Sequence, residues 1–337
     1  MTSMAPGDLK RISIEEAYQG LQKTLEGFLK SVPPSILPYT GHLSGSFGKN
    51  LRGRALLLSA MGDDHLLDPS AIDLAVAIEG FHLATLVHDD IIDDAKTRRG
   101  QPSLQAKFGK KTAVLCGDYL LARSLELCSE AMKKFDQEDS KKHRDFSMPY
   151  YASLVCLGEI RQHANNFNLD LSARRYLSII RGKTAALFEA AFAGGELFIQ
   201  EDERISPENT HAYKKLGRYM GMIFQMMDDL IDIELEEEEA KKPILSDFLS
   251  GVITLPLILA MEENPSIKAA IRHQMDSDRL DPLKIQSLIQ EAGGSQKTRE
   301  VARAYYKMAL AELDSLNLVP YKHNLLKNLL DRAMGND

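Results

Sequence analysis

Two runs of aspartate have the residue types and spacing to do chemistry in this 337-residue chain. The first is His88-Asp89-Asp90-Ile91-Ile92-Asp93-Asp94, and the second is Gln225-Met226-Met227-Asp228-Asp229-Leu230-Ile231-Asp232. Asp89 and Asp93 are i and i+4, so they share one face of a helix. Gln225, Asp228, Asp229 and Asp232 fall at i, i+3, i+4 and i+7, again one face. Carboxylates this close repel one another, and a multivalent cation above them relieves the repulsion. Oxygen-only donors with room for water suit Mg²⁺, which keeps several waters and bridges to phosphates. Arg98 and Arg99 follow the first run beside Gly100. Carboxylates for metal with guanidinium for phosphate are what a metal–diphosphate complex requires. A lone acidic run is usually a solvated helix end. Two such runs, each on a long apolar helix and each followed by basic residues, favour the metal reading. Facing each other, they would cage several Mg²⁺ ions around one diphosphate.

The elements that carry these runs are helical. Ser70 is a candidate N-cap with Asp73 three residues on, and an apolar helix leads from it to the first run. His82 lies two turns before Asp89 on roughly the same face. Helical spacing is also expected over residues 14–31, 110–134, 150–162, 173–200, 207–233 and 245–261. A break at Gly293-Gly294 precedes an amphipathic helix to about Ser315. A Pro-, Gly- and Ser-rich loop is expected from Pro33 to Ser46, and Asp136 to Lys142 is a polar connector. Almost nothing alternates with period two, so sheet is not expected. The expectation is an all-α, single-domain protein over residues 1–337, with ten or more helices around a central cavity. Hydrophobic residues at 44% and charged residues at 26% leave ample core. A net charge of −7 argues against nucleic acid as a partner. Met220, Met222, Met226 and Met227 read as core filling. Cys116, Cys128 and Cys156 lack CxxC spacing and read as buried, reduced thiols. No signal-peptide pattern or membrane-length apolar run is evident, so a cytoplasmic location is expected.

Lys49 and Arg52 lie three apart at the start of an apolar helix. Cations at a helix N-terminus, where backbone N–H groups also point outward, make an anion site. With these landmarks in order, the chain resembles the trans-polyprenyl diphosphate synthases of the polyprenyl synthetase family, more the medium- and long-chain members. The two aspartate runs resemble that family's aspartate-rich motifs. Gly48-Lys49-Asn50-Leu51-Arg52 resembles its GGKRxRP, and Gly117-Asp118-Tyr119 and Gly158-Glu159 follow in the expected order. Arg181-Gly182-Lys183-Thr184 resembles its GKT element, and Lys242-Pro243 with Asp247 resembles its GKPxxxD. Phe47, Asn50, Gly53 and Lys241 depart from the family pattern, with Gly53 standing where Pro is usual.

The resemblance implies the isoprenoid synthase fold and chain elongation, in which isopentenyl diphosphate condenses with an allylic diphosphate and diphosphate is released. It implies a homodimer and, in each active site, three Mg²⁺ ions. Asp89 and Asp93 would hold two ions and Asp228 a third, with Asp90, Asp229 and Asp232 as outer ligands or holding waters. Arg98, Lys183, Gln225 and Lys242 would grip the allylic diphosphate. Lys49, Arg52, His82 and Arg99 would hold isopentenyl diphosphate, and the oxygen of Thr184 would stabilise the allylic cation. Product length would be set by side chains along the first-motif helix: Thr85 and Ala84 next to the site, then Phe81, Gly80 and Ala77 below. Small residues at most of these positions favour an open channel and a long product for quinone side chains, with Phe81 as a candidate floor. Short-chain synthesis, or service as one subunit of a heteromeric synthase, are the alternatives. Regulatory subunits of that kind usually lack the aspartates that this chain retains.

Overall fold

The computed structural model describes residues 10–45, 47–133, 135, 146–199, 207–234, 245–277 and 280–335. The helices, named in chain order, are α1 (Ile14–Lys30), α2 (Leu37–Leu43), α3 (Leu51–Ala60), α4 (Ala71–Ile92), α5 (Leu104–Phe108), α6 (Lys110–Met132), α7 (Met148–His163), α8 (Ala173–Ile180), α9 (Ala186–Glu196) and α10 (Pro207–Glu234). Further helices run over Ser246–Leu249, Leu255–Glu263, Pro265–Asp276, Pro282–Glu291, Gly294–Ser315 and Pro320–Ala333. Strand among the described residues is confined to two-residue ribbons. β1 (Ile12–Ser13) pairs with β2 (Leu66–Leu67), and β3 (Thr97–Arg98) pairs with β4 (Gln101–Pro102), both antiparallel. The all-α expectation holds.

By contact the chain divides into two compact units. The first comprises Met1–Tyr151, Leu187–Lys214 and Asp314–Leu326. Its central helix is α4, in which Leu74 to Ile78, Phe81 and Ala84 have no exposed surface. Against the expectation of no membrane-length apolar run, α4 is long and apolar enough to cross a membrane by length and composition, and 67% of that stretch is buried inside the protein. α4 starts where expected, but Ser70 is not its cap. Ser70 is helical and makes no capping bond. Its N–H and hydroxyl both donate to Asp68 Oδ1, at 2.9 and 2.6 Å. α1 has the local cap that α4 lacks: Ser13 and Glu16 form a reciprocal capping box. α2 interrupts the expected Pro/Gly/Ser loop. Its Thr40 and Leu43 are buried, and Tyr39 meets Phe108 edge-on at 5.1 Å, so tertiary contact outweighs composition there.

The second unit comprises Ala152–Ala186, Lys215–Leu313 and Lys327–Asp337. Its core gathers Tyr176, Ile179 and Ile180 of α8 with Met222 and Met226 of α10 and with Leu255, Leu257 and Ile258. Met220 is also fully buried, so the methionines fill core as expected. The single helix expected over 173–200 is three pieces, because a π turn at Arg181–Ala185 separates α8 from α9. The helix expected over 245–261 is broken at Gly251, whose φ of 93° suits glycine. Of the three cysteines, Cys116 and Cys128 are buried, and burial pushes both thiols up to about 11. Cys156 is exposed, against expectation, because α7 turns that face outward. The connector at 136–142, the acidic run beyond Glu234, and Lys241, Lys242 and Pro243 lie outside the described residues.

Candidate active site

In the first unit, α4 delivers the first aspartates at its C-terminus. Asp89 is partly buried, while Asp93 sits just past the last helical residue, exposed, its N–H bonded to Asp89 O at 2.9 Å. Asp90 points the other way. It is buried, and Arg98 forks onto it: Nε lies 2.9 Å from both carboxylate oxygens and one terminal nitrogen 2.8 Å from Oδ1. Asp90 thus aims Arg98, a more specific task than holding water. Asp94 is spent on Lys96 and Lys110, at 2.7 and 2.9 Å, and these cations hold its carboxyl far below the usual range.

Arg98 and Arg99 are presented by the β3–β4 ribbon. Its two turn residues, Arg99 and Gly100, both have positive φ (52° and 77°), as a tight type I′ hairpin requires. Gln105, which motif spacing does not reveal, fastens the ribbon to α4. Its Nε2 donates to the carbonyls of Asp90 and Ala95 at 2.8 and 2.9 Å. Arg99 lies against Gly48, where an added Cβ would be 2.5 Å from a guanidinium nitrogen. The GKNLR segment and Arg99 are therefore neighbours, and Lys49, next to Gly48, is exposed. His82 joins the group: burial, then the charges of Arg52, Arg98 and Arg99, hold its pKa well below the usual value. The four residues expected around isopentenyl diphosphate are thus brought together.

The helix N-terminus behind that cluster differs from expectation. The N–H groups of α3 do not all face outward, because Glu79 of α4 accepts the Gly53 N–H at 2.7 Å. Arg52 is itself buried, with its guanidinium carbon 4.5 Å above the Phe188 ring. At its other end α3 is closed by Lys322, buried, which donates to the carbonyls of Ser59 (3.0 Å) and Met61. His88 pairs with Asp118 at 3.2 Å, consistent with a neighbour of the metal site and not a ligand.

Along α4, Ala77, Phe81 and Ala84 are fully buried and Thr85 partly so, its hydroxyl turned back on the His82 carbonyl at 2.8 Å. Gly80 is no open step: a Cβ there would lie 2.7 Å from Ser124 Oγ and 2.9 Å from the Phe28 ring.

In the second unit a hydrogen-bonded chain runs through the second run of aspartates. Thr184 Oγ1 donates to Gln225 Oε1 at 2.6 Å, and Gln225 Nε2 donates to Asp229 Oδ1 at 2.9 Å. Tyr176 closes the chain by donating to Asp229 Oδ2. Burial drives the Asp229 carboxyl up to about 7, against the hydrogen bonds from Tyr176 and Gln225 that pull it down. Asp232 is buried too, and accepts from Ser246 Oγ at 2.6 Å and Asp247 N at 3.1 Å, anchoring the helix Ser246–Leu249. Asp228 alone of the three is exposed. Lys183 pairs with Glu159 at 3.0 Å. Gly158 lets α7 press against this turn, since a Cβ there would be 2.2 Å from Lys183 N. A π turn at such a place is a frequent mark of a functional site. Among the described residues, no three His, Cys, Asp or Glu side chains converge as a metal cage made by protein alone.

The family model for polyprenyl synthetases matches residues 35–292. The chain belongs to that family. Component 2 of heptaprenyl diphosphate synthase from Bacillus subtilis is 33% identical over 299 residues, 88% of this chain and 81% of that one. The crystal structure of heptaprenyl diphosphate synthase from Staphylococcus aureus superposes with a TM-score of 0.83 at 29% identity, covering 97% of this chain and 99% of that one. A polyprenyl synthase from Caulobacter crescentus, solved with calcium and isoprenyl diphosphate, is 28% identical with a TM-score of 0.82, over 95% of this chain and 94% of that one. The fold is thus that of the isoprenoid synthases, and this polyprenyl synthetase is a trans-prenyltransferase of the polyprenyl diphosphate synthase type.

Proposed function

We propose that the chain condenses isopentenyl diphosphate with an allylic diphosphate and makes a medium- to long-chain all-trans polyprenyl diphosphate, of the kind attached to quinones. What supports the two-substrate reading is that Arg52 and Arg99 act together on His82, on the same helix that carries Asp89. One diphosphate needs metal and the other does not. The donor chemistry fits a hard divalent cation: partly buried Asp89 and exposed Asp93 and Asp228 offer oxygen only. Mg²⁺ accepts such donors because it retains waters and leans on substrate phosphate. When bound, it supplies stabilisation of the charge that develops on the departing diphosphate.

This chain's own residues do the rest. Arg98, aimed by Asp90, offsets the charge of the allylic diphosphate as the C–O bond breaks, and the family resemblance implies the same role for Lys183, Gln225 and Lys242. Thr184 donates its hydroxyl hydrogen bond to Gln225, which would leave its oxygen lone pairs free to stabilise the allylic cation. The buried apolar faces around α4 exclude water that would quench the cation. The double bond of isopentenyl diphosphate forms the new C–C bond to that cation, and the released diphosphate takes the proton that restores the alkene. Of the two small residues directly below the aspartates, Ala84 has no exposed surface, and the partly exposed Thr85 is the one that offers the growing chain room to descend. We further read the working form as a cytoplasmic homodimer with three Mg²⁺ per site.

The relative named component 2 supports a second reading, in which this chain is the catalytic member of a heteromeric synthase. Assay of the purified chain alone, with Mg²⁺, isopentenyl diphosphate and farnesyl or geranylgeranyl diphosphate, tests both. Turnover to products of about seven or more isoprene units, at roughly one helical turn per unit, is the expected result. Turnover only after another subunit is added would establish the second reading, and products stopping at four units would overturn the chain-length claim.

A further inference from the structure

α3 begins without a cap of its own. Asn50 precedes it in the left-handed region (φ 48°) and makes no side-chain bond to the helix; its Nδ2 donates instead to Gln22, at 3.4 Å. An orphan first-turn amide is met from α4 by Glu79, only 6% exposed, which takes the N–H of Gly53 at 2.7 Å. Close approach depends on glycine at 53, because a Cβ there would lie 3.1 Å from Glu79 Cγ and 2.9 Å from Leu21. The same carboxylate feels the charges of Arg52 and Arg99. Arg52 is 8% exposed, stacked on Phe188, and its Nε has no hydrogen-bond partner. A buried guanidinium is thus held by a ring on one side and by a capped backbone behind it.

We propose that Glu79 is a positioning residue for the isopentenyl diphosphate site, fixing the start of α3 so that Arg52 and Arg99 meet one diphosphate together. This rests on the reading of Arg52 as a ligand of that substrate. A rival account has Glu79 merely competing with the incoming diphosphate for Arg52. The two differ in sign. A competitor, once neutralised, leaves a more positive site and tighter binding. A positioning acid, once neutralised, holds the buried Gly53 amide more weakly and leaves a helix start that drifts.

The test is steady-state kinetics of the full chain with each substrate varied in turn, for Glu79→Gln, Glu79→Ala and Arg52→Ala. Expected are a rise in KM for isopentenyl diphosphate of about fivefold in Glu79→Gln and tenfold or more in Glu79→Ala, the larger effect following from complete loss of the buried hydrogen bond to Gly53. The KM for the allylic diphosphate should stay within about twofold, and kcat within about threefold. An unchanged or lower KM for isopentenyl diphosphate in Glu79→Gln overturns the proposal, as does an equal rise in both KM values. The isosteric Gln variant decides the matter if the Ala variant fails to fold. Arg52→Ala separates the two levels: if it leaves isopentenyl diphosphate binding intact, the ligand reading itself is wrong; if it weakens that binding while Glu79→Gln does not, only the role of Glu79 falls.

Discussion

The middle aspartate of each motif is held by side chains from elsewhere in its own unit. Asp90 is clamped to Arg98, and Asp229 to Tyr176 and Gln225. Asp89→Ala and Asp228→Ala should cut turnover by about 10²–10³-fold, the range seen when one element of transition-state charge stabilisation is removed. Near-normal turnover in either variant would sink the metal reading. Asp229 permits a prediction of opposite character. Its carboxyl is pushed up to about 7 in the folded chain, against an ordinary value of 3.8. The folded chain therefore holds a proton that the unfolded chain has already lost, so this group's contribution is present below about pH 4 and lost as pH rises towards 7. Metal-free Asp229→Asn should consequently gain on the wild type by at least ~1 kcal/mol between about pH 5 and 7.5, read by urea unfolding; a pH-independent difference would refute it. The aspartates themselves were legible from spacing. Their keepers were not, because Tyr176 lies 53 residues from Asp229 and Glu79 lies 26 from Gly53, distances at which only folding makes neighbours.

Helices were legible where apolar spacing was long and regular, as in α1, α4, α6 and α10, and illegible where tertiary contact decides. α2 forms in a stretch composed like a loop, and the π turn at Arg181–Ala185 hides within continuous helical spacing. That turn and α7 touch through Gly158. Gly158→Ala should cost ~1–3 kcal/mol by overpacking and raise KM for the allylic substrate more than for isopentenyl diphosphate, because the displaced backbone is that of Lys183. A lower melting temperature with both KM values unchanged would separate packing from the site. On α4, Ala84→Tyr should shorten the product to about three units, taking one turn per unit, as chromatography of the dephosphorylated products would show. An unaltered length would mean that the chain does not grow past this position. Gly80 takes no part in such an argument, since its face is already filled by Phe28 and Ser124.

For the whole molecule, composition and helical spacing made an all-α chain legible, and the motifs made the family legible. The way in which distant segments close one helix was not. Metal with inorganic diphosphate should raise the melting temperature of the full chain, by ~2.7 kcal/mol of added stability at a hundredfold excess over Kd; calorimetry showing no shift would count against a metal–diphosphate site. The two ends of α3 carry a different consequence, one that concerns synthesis. Glu79 follows Gly53 by 26 residues, whereas Lys322 follows Ser59 by 263. At ~5–20 residues per second on the ribosome, the front of α3 can be secured within about 1–5 s, while its rear carbonyls wait roughly 13–50 s for the lysine that closes them. The helix bearing Arg52 is thus begun early and finished last. Lys322→Met should betray this as slowed recovery of activity on refolding, with the substrate constants of the molecules that do recover left unchanged.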